Sequence, residues 1–199
     1  MKKKIIVVAG TPGTGKSSVA RSLREKCGLI SIDLSSFAVE NNLVIGLDEK
    51  RQSYIVDEAK LINKLYEYIE GINGDVVIHT HYPEILPPWM VHKVFVLRTH
   101  PLKLDERLKA RGWDRRKICE NVMAEILGIV AYNVIETFDV DNMYEIETTN
   151  TTPEEVADLI CNVINGRSSL VPGIKIDWLT DLPFDVIKTY EDCYENTEK

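Results

Sequence analysis

Short apolar, β-branched runs recur along the chain at Ile5–Ala9, Leu29–Ile32, Val76–Ile78, Val94–Leu97 and Met143–Ile146, and between them the apolar positions change to helical spacing. Five strands alternating with helices predict a parallel sheet covered on both faces. Between the first two strands, Val19, Ala20, Leu23 and Cys27 keep one helical face, and Gly28 is placed to end that helix. Leu61, Leu65, Tyr68 and Ile69 form a second such face before the third strand. Thr152-Pro153-Glu154-Glu155 opens a last helix with a hydroxyl cap, an N1 proline and early acids, and Gly166 is placed to close it.

Two stretches interrupt this alternation, both after strand ends, where open α/β sheets collect ligands. One is Ser35–Tyr54, polar and glycine-marked; the other is Ala110–Glu125, basic and then amphipathic. Beyond Gly166 the tail Arg167–Lys199 carries Pro172, Gly173, Trp178 and Pro183, then Phe184, Ile187 and Tyr194 at roughly helical spacing. Two readings stand for it: a strap that wraps the domain or docks on a partner, or a poorly ordered acidic terminus.

The first strand runs directly into Gly10-Thr11-Pro12-Gly13-Thr14-Gly15-Lys16-Ser17, which fits G-x-x-x-x-G-K-[ST] in its required strand–loop–helix context. Glycines let backbone N–H groups turn inward, and the helix that follows adds the positive end of its dipole, so a polyphosphate fits. Lys16 is expected to reach the β- and γ-phosphates and Ser17 to be a Mg²⁺ ligand. A GTPase is disfavoured, because Asn63-Lys64-Leu65-Tyr66 has no base-reading aspartate.

Further charge clusters from Arg107 to Lys117, where Arg107, Lys109, Arg111, Arg115, Arg116 and Lys117 face one acid, Asp114. That segment is read as a lid whose guanidinium groups stabilise transferring phosphoryl oxygens. Arg98 is placed either toward the phosphates or in an ion pair. The third strand leads into His79-Thr80-His81 where an acid orienting Mg²⁺ through water is usual, so Asp33 and Asp57 become the substitutes, each with a plain helix-capping alternative. One of the two histidines is expected to meet the nucleotide or its attacking water.

A chain of 199 residues that is 44% hydrophobic fills one core with a small appendage, and a net charge of −7 argues against coating DNA. The Lys2–Lys4 start is too briefly apolar for a secretory signal, and no run approaches bilayer length, so a soluble protein without membrane contact is expected. Cys27, Cys119, Cys161 and Cys193 are widely spaced, suggesting neither zinc nor a disulfide framework and favouring a reduced, cytoplasmic compartment.

Taken with the phosphate loop, Leu97-Arg98-Thr99, Arg107-Leu108-x-x-Arg111-Gly112-Trp113 and Glu120-Asn121-x-x-x-Glu125-Ile126 resemble the nuclear adenylate kinase family, also called coilin-interacting nuclear ATPase, over about residues 4–166. Leu34–Ala38 and Pro172–Trp178 resemble its archaeal branch. The resemblance implies a P-loop three-layer sandwich at 1–166, with a monophosphate-binding insertion at about 34–56 and a short lid at about 110–120, followed by an extension at 167–199. It implies Mg²⁺-dependent phosphoryl transfer from ATP to AMP with ATPase activity, in ribosomal small-subunit and rRNA maturation with a platform ribosomal protein as partner. The alternative is a nucleotide-switched ATPase assembly factor with little AMP phosphorylation. By residue, Gly13, Thr14, Gly15, Lys16, Ser17 and Ser18 correspond to the ATP loop and Arg111 to the lid arginine. His81 and Asp57 correspond to catalytic positions, and the turn with Asn150 and Thr151 to an adenine contact; Ser17, with Asp33 through water, falls to the metal. Two departures stand out: His79 replaces an aspartate, and Val39 replaces an arginine expected at the AMP phosphate, leaving Arg51 as the nearest substitute in sequence.

Overall fold

The computed structural model describes residues 3–48, 53–168 and 170–195, so Arg51 lies outside the described residues. Strands β1 (Ile5–Ala9), β2 (Ile30–Asp33), β5 (Val76–Thr80), β6 (Lys93–Arg98) and β7 (Met143–Glu147) form one sheet in the order β2-β5-β1-β6-β7. Every pairing in it is parallel. Each expected strand is present, and β5 runs two residues further than its apolar run, through His79 and Thr80.

Central β1 has no exposed face, so its side chains divide by alternation. Val7 and Ala9 pack with Leu61, Leu65 and Ile69 of α3 (Glu58–Gly71), with Phe37 of α2 (Leu34–Glu40) and with Val130 and Val134 of α6 (Ile129–Thr137). Ile6 and Val8 pack with Val19 and Leu23 of α1 (Lys16–Cys27) and Val156 and Ile160 of α7 (Pro153–Ile164). Each such buried aliphatic side chain contributes about 1.5–3 kcal/mol. Tyr68 departs from the expected buried face: it is half exposed and covers Phe37, ring centres 5.4 Å apart. The hydroxyl cap before α7 is present as read, and Thr152 and Glu155 complete it as a capping box by exchanging hydrogen bonds.

The insertion after β2 holds α2 and a hairpin of β3 (Val44–Asp48) and β4 (Ser53–Val56), which the sequence reading did not resolve. The lid segment is a four-residue turn, 111–114, between α4 (Pro101–Ala110) and α5 (Arg115–Ile126), so most of the expected lid at 110–120 belongs to a helix whose inner face is buried.

Of the two readings of the tail, the strap is the one observed. Trp178 of α8 (Trp178–Asp181), Leu182 and Tyr190 of α9 (Phe184–Glu195) join Leu104, Leu108, Ile118 and Val122 in a third core. Two disulfides correct the cysteine reading: Cys27–Cys161 joins α1 to α7, and Cys119–Cys193 joins α5 to α9. Their partners are 134 and 74 residues apart, a proximity that only helix packing creates. The inference of a reduced compartment from cysteine spacing loses its basis. Among the described residues no single helix is long and apolar enough to cross a membrane, and the bent pair α5–α6, which passes by length and composition together, carries several core residues.

Candidate active site

The phosphate loop leaves β1 at the carboxyl edge of the sheet, and close approach dictates two of its glycines. A Cβ on Gly10, at φ 147°, would stand 2.6 Å from the Leu97 carbonyl oxygen; one on Gly13, at φ 100°, would stand 2.6 Å from Leu104 Cδ1. The loop is therefore pressed between β6 and α4, in backbone conformations that side chains resist. Hydrogen bonds fix the rest. Thr11 Oγ1 donates to Glu125 Oε2 at 2.6 Å, Thr14 Oγ1 to the Thr11 carbonyl at 2.9 Å, and Thr148 Oγ1 to the Thr14 carbonyl at 2.9 Å. The Thr14 N–H also points to the Thr11 carbonyl, so Thr14 shapes the loop from a buried position.

Lys16 Nζ donates to the carbonyls of Gly10 at 2.8 Å and Thr11 at 3.1 Å, folded back over the loop it serves. Burial pushes its pKa down to about 8, against the opposing pull of Glu125, and Arg111 lowers it further. A cation held this way gains from an arriving triphosphate that restores its full charge.

Two cavities open on either side of the loop, sharing Gly13, Gly15, Ser18 and Arg111. The larger, about 490 Å³, lies between α2 and the hairpin on one side and the start of α5 on the other, and falls in the size range of nucleotide-sized pockets. The smaller, about 210 Å³, is bounded by Arg107, Thr148, Thr151 and Val156. Arg107 Nη2 donates to the carbonyls of Thr148 at 2.7 Å and Thr149 at 3.2 Å, bracing that wall. Arg111 is exposed, and its side chain has no hydrogen bond or ion pair among the described residues. A guanidinium facing both cavities is free to follow charge that moves between them.

His81 lines the larger cavity, and burial, then the positive charges of Lys16 and Lys117, push its pKa down to about 4 against the pull of Asp33. It is neutral at pH 7. Of the two histidines only His81, just past the end of β5, lines the cavity, while burial, Asp33 and Lys16 act on both rings. His79 Nδ1 lies 3.4 Å from Asp33 Oδ2.

Asp33 caps α2 by accepting from the Ser36 N–H at 3.0 Å, yet remains partly exposed and near enough to Lys16 to affect its charge. The Ser17 hydroxyl faces the larger cavity with no hydrogen bond among the described residues. An unbonded hydroxyl at Ser17 and the partly exposed Asp33 carboxylate are oxygen donors of the kind a hydrated divalent ion takes. Among the described residues no group of three or more His, Cys, Asp or Glu is placed to hold a metal ion.

Other expected residues fall elsewhere. Asp57 caps α3, accepting from the Lys60 N–H at 3.1 Å and pairing with the Lys60 ammonium at 2.9 Å, and lines neither cavity. Those Lys60 contacts hold its carboxyl below its usual pKa, so the capping alternative is the one observed. Asn150 is exposed and lines neither cavity, whereas Thr151 lines the smaller one. Arg98 is buried away from both. It pairs with Glu125 at 2.9 Å and Glu145 at 2.6 Å; burial works against its charge, but the two carboxylates overcome it and hold its pKa above the ordinary value. The sequence reading missed Tyr54, Val44 and Val56 of the hairpin and Thr148, which join the walls only because β3–β4 and the β7–α7 turn fold over the loop.

A family model described as an AAA domain matches residues 6–128. A protein of Sulfurisphaera tokodaii named "Putative adenylate kinase" is 40% identical over 191 residues, 94% of this chain and 97% of its own. The Caenorhabditis elegans "Adenylate kinase isoenzyme 6 homolog" is 34% identical over 159 residues, 79% of this chain and 87% of its own. Among solved structures, shikimate kinase from Acinetobacter baumannii in complex with shikimate has a TM-score of 0.58 at 17% identity, covering 84% of this chain and 96% of its own. A sugar kinase from Janibacter sp. has 0.56 at 15% identity, covering 82% and 95%. These two share the fold.

Proposed function

We propose that this chain, which belongs to the adenylate kinase family of P-loop proteins that its curated relatives represent, transfers the γ-phosphoryl group of MgATP to AMP. The observation that carries this reading is the pair of cavities meeting at Gly13, Gly15 and Arg111, one for each nucleotide. An AMP phosphate oxygen attacks the γ-phosphorus, the bond to the β–γ bridging oxygen breaks, and two ADP leave. No covalent enzyme intermediate is needed. Ser17, with Asp33 through water, would hold the magnesium that comes with ATP, which when bound would neutralise phosphate charge.

The chain's own groups supply position and charge. Lys16 holds the donor phosphates and Arg111 follows the transferring group between the cavities. His81, neutral, orients a water in the larger cavity, and this supports a slower ATP hydrolysis when no acceptor is bound. The test is ADP formation from MgATP with and without AMP: a strong AMP-dependent rise supports the kinase, and AMP-indifferent slow hydrolysis overturns it.

AMP-indifferent hydrolysis would favour the second reading, a nucleotide-switched assembly factor. Ile45, Leu47, Tyr54 and Ile55 are exposed on the hairpin beside the acceptor cavity, a surface suited to a partner that senses nucleotide state. Service in small-subunit ribosomal maturation, with a ribosomal protein and rRNA as partners, rests on the motif resemblance. It is tested by whether depleting the protein leaves unprocessed small-subunit rRNA.

A further inference from the structure

The basic run Arg107–Lys117 looks uniform in sequence, but the fold gives its members different tasks. Arg107 is committed to the Thr148 and Thr149 carbonyls. Lys109 and Arg115 both pair with Asp105, at 2.5 and 2.8 Å. Arg116 is exposed and lines neither cavity, while Arg111 faces both. Lys117 remains. Its ammonium has no carboxylate partner among the described residues, although Glu120 is one helical turn away, and it lines the larger cavity alone.

Two contacts place that ammonium at the cavity. The Lys117 N–H is bonded to the Asp114 capping carboxylate at 3.0 Å, which fixes the first turn of α5. Its ammonium sits over the Trp113 ring, 4.7 Å from the centre, and Trp113 is itself a wall residue. It also lies near enough to His81, across the cavity floor, to affect that ring's charge.

The remainder of the cavity is segregated by chemistry. Ala38, Val39, Val44 and Val56 form an apolar wall from α2 and the hairpin, with Tyr54 and Tyr82 beside them. Among the described wall residues the cations are Lys16, Arg111 and Lys117. Lys16 is drawn back to the loop carbonyls, and Arg111 is shared with the smaller cavity. The α5 wall also carries Glu120 and Asn121, so a ligand with an apolar body and one dianionic end lies with its body against α2 and the hairpin and its charge at the Trp113–Lys117 side of α5.

We propose that Lys117 is the cation that receives the phosphate of the acceptor nucleoside monophosphate, taking the place left apolar by Val39. The inference rests on the acceptor reading of the larger cavity. It makes the Trp113–Lys117 pair the element that distinguishes a monophosphate from its nucleoside.

The experiment compares AMP and adenosine binding by calorimetry in the wild-type chain, Lys117→Met and Lys117→Arg. Charge-assisted phosphate contacts predict an AMP affinity lowered about 10- to 100-fold in Lys117→Met. Adenosine affinity should change less than about 2-fold, and Lys117→Arg should recover most of the AMP affinity. In turnover, the KM for AMP should rise in Lys117→Met by more than either kcat or the KM for ATP changes. An AMP-to-adenosine ratio unchanged by Lys117→Met overturns the proposal, as does an equal loss of both ligands, which would mark Lys117 as a support for Trp113. Collapse of the ratio in Arg51→Ala instead of Lys117→Met would assign the role to Arg51 and overturn it too. Failure of the wild-type chain to bind AMP at all is a different result, and removes the acceptor reading itself.

Discussion

Lys16 gives the site a proton ledger that can be read without any turnover. In the free protein its pKa is about 8 because burial disfavours the charged form. A bound triphosphate places several negative oxygens beside the ammonium and raises that pKa, so the complex holds more protons than the free protein. Affinity for MgATP therefore falls as pH rises through and above about 8. Proton uptake on binding follows from the fraction of neutral lysine: about 0.1 at pH 7, about 0.5 at pH 8 and about 0.9 at pH 9. Above pH 8 the association constant should fall by close to tenfold per pH unit until the pKa of the complex is reached. Calorimetric titration with MgATP at these three pH values, in two buffers of different ionisation enthalpy, measures the uptake directly. Lys16→Arg is the control, since a guanidinium keeps its charge throughout and whatever binding remains should take up no proton. A binding heat independent of buffer at pH 9, or the same uptake in Lys16→Arg, would refute the assignment.

Arg111→Ala should lower kcat about 100- to 1,000-fold while changing the KM for ATP less than about tenfold. Its thermal midpoint should stay near wild type, because the side chain is exposed and unpaired; equal losses in rate and affinity would contradict a transition-state role. Glu125→Ala should destabilise the fold by about 3–5 kcal/mol in urea unfolding, since it removes one carboxylate from a buried arginine. A loss below about 1 kcal/mol would mean that Glu145 alone satisfies Arg98. Reduction of Cys119–Cys193 and Cys27–Cys161 should each lower stability by about 2–4 kcal/mol, read as the shift in unfolding free energy when each pair is replaced by serine. Free-thiol titration of the unfolded, unreduced protein should find no reactive cysteine, and four reactive thiols would refute both bridges.

What the sequence revealed is what local chemistry dictates. The phosphate loop was legible because glycine spacing, the strand before it and the helix after it all lie within a few residues. The five strands were legible because a sheet covered on both faces demands unbroken apolar runs, and Ile5–Ala9 supplies one. The hairpin was not. Val44, Gly46 and Asp48 are half-buried while the apolar Ile45 and Leu47 between them are exposed, and the register shifts between Val44 and Gly46, so no alternation of apolar and polar residues marks it. Asp57 stayed open between two readings for the opposite reason: an acid before a helix has the same sequence signature whether it caps the helix or serves a ligand, and its Lys60 contacts are what show the cap.

Arg98 shows why long-range placement escapes a linear reading, and why the escape matters. As a strand-end arginine beside a phosphate loop it invites assignment to the ligand, yet its guanidinium is enclosed by acids 27 and 47 residues away. Glu125 then accepts from Thr11 of the loop, from the Thr99 N–H after β6, and from Trp178 Nε1 of the tail at 3.4 Å. Glu145 accepts from the backbone N–H groups of Lys175 and Ile176, tying the same tail to β7. One buried cation thereby sets the position of the phosphate loop, the helix that carries Lys117, and the strap that covers both. The strap is therefore part of the machinery that holds the nucleotide loop in shape. Removing residues 167–199 should leave Arg98, Glu125 and Glu145 open to water and weaken MgATP binding, although no described tail residue lines either cavity.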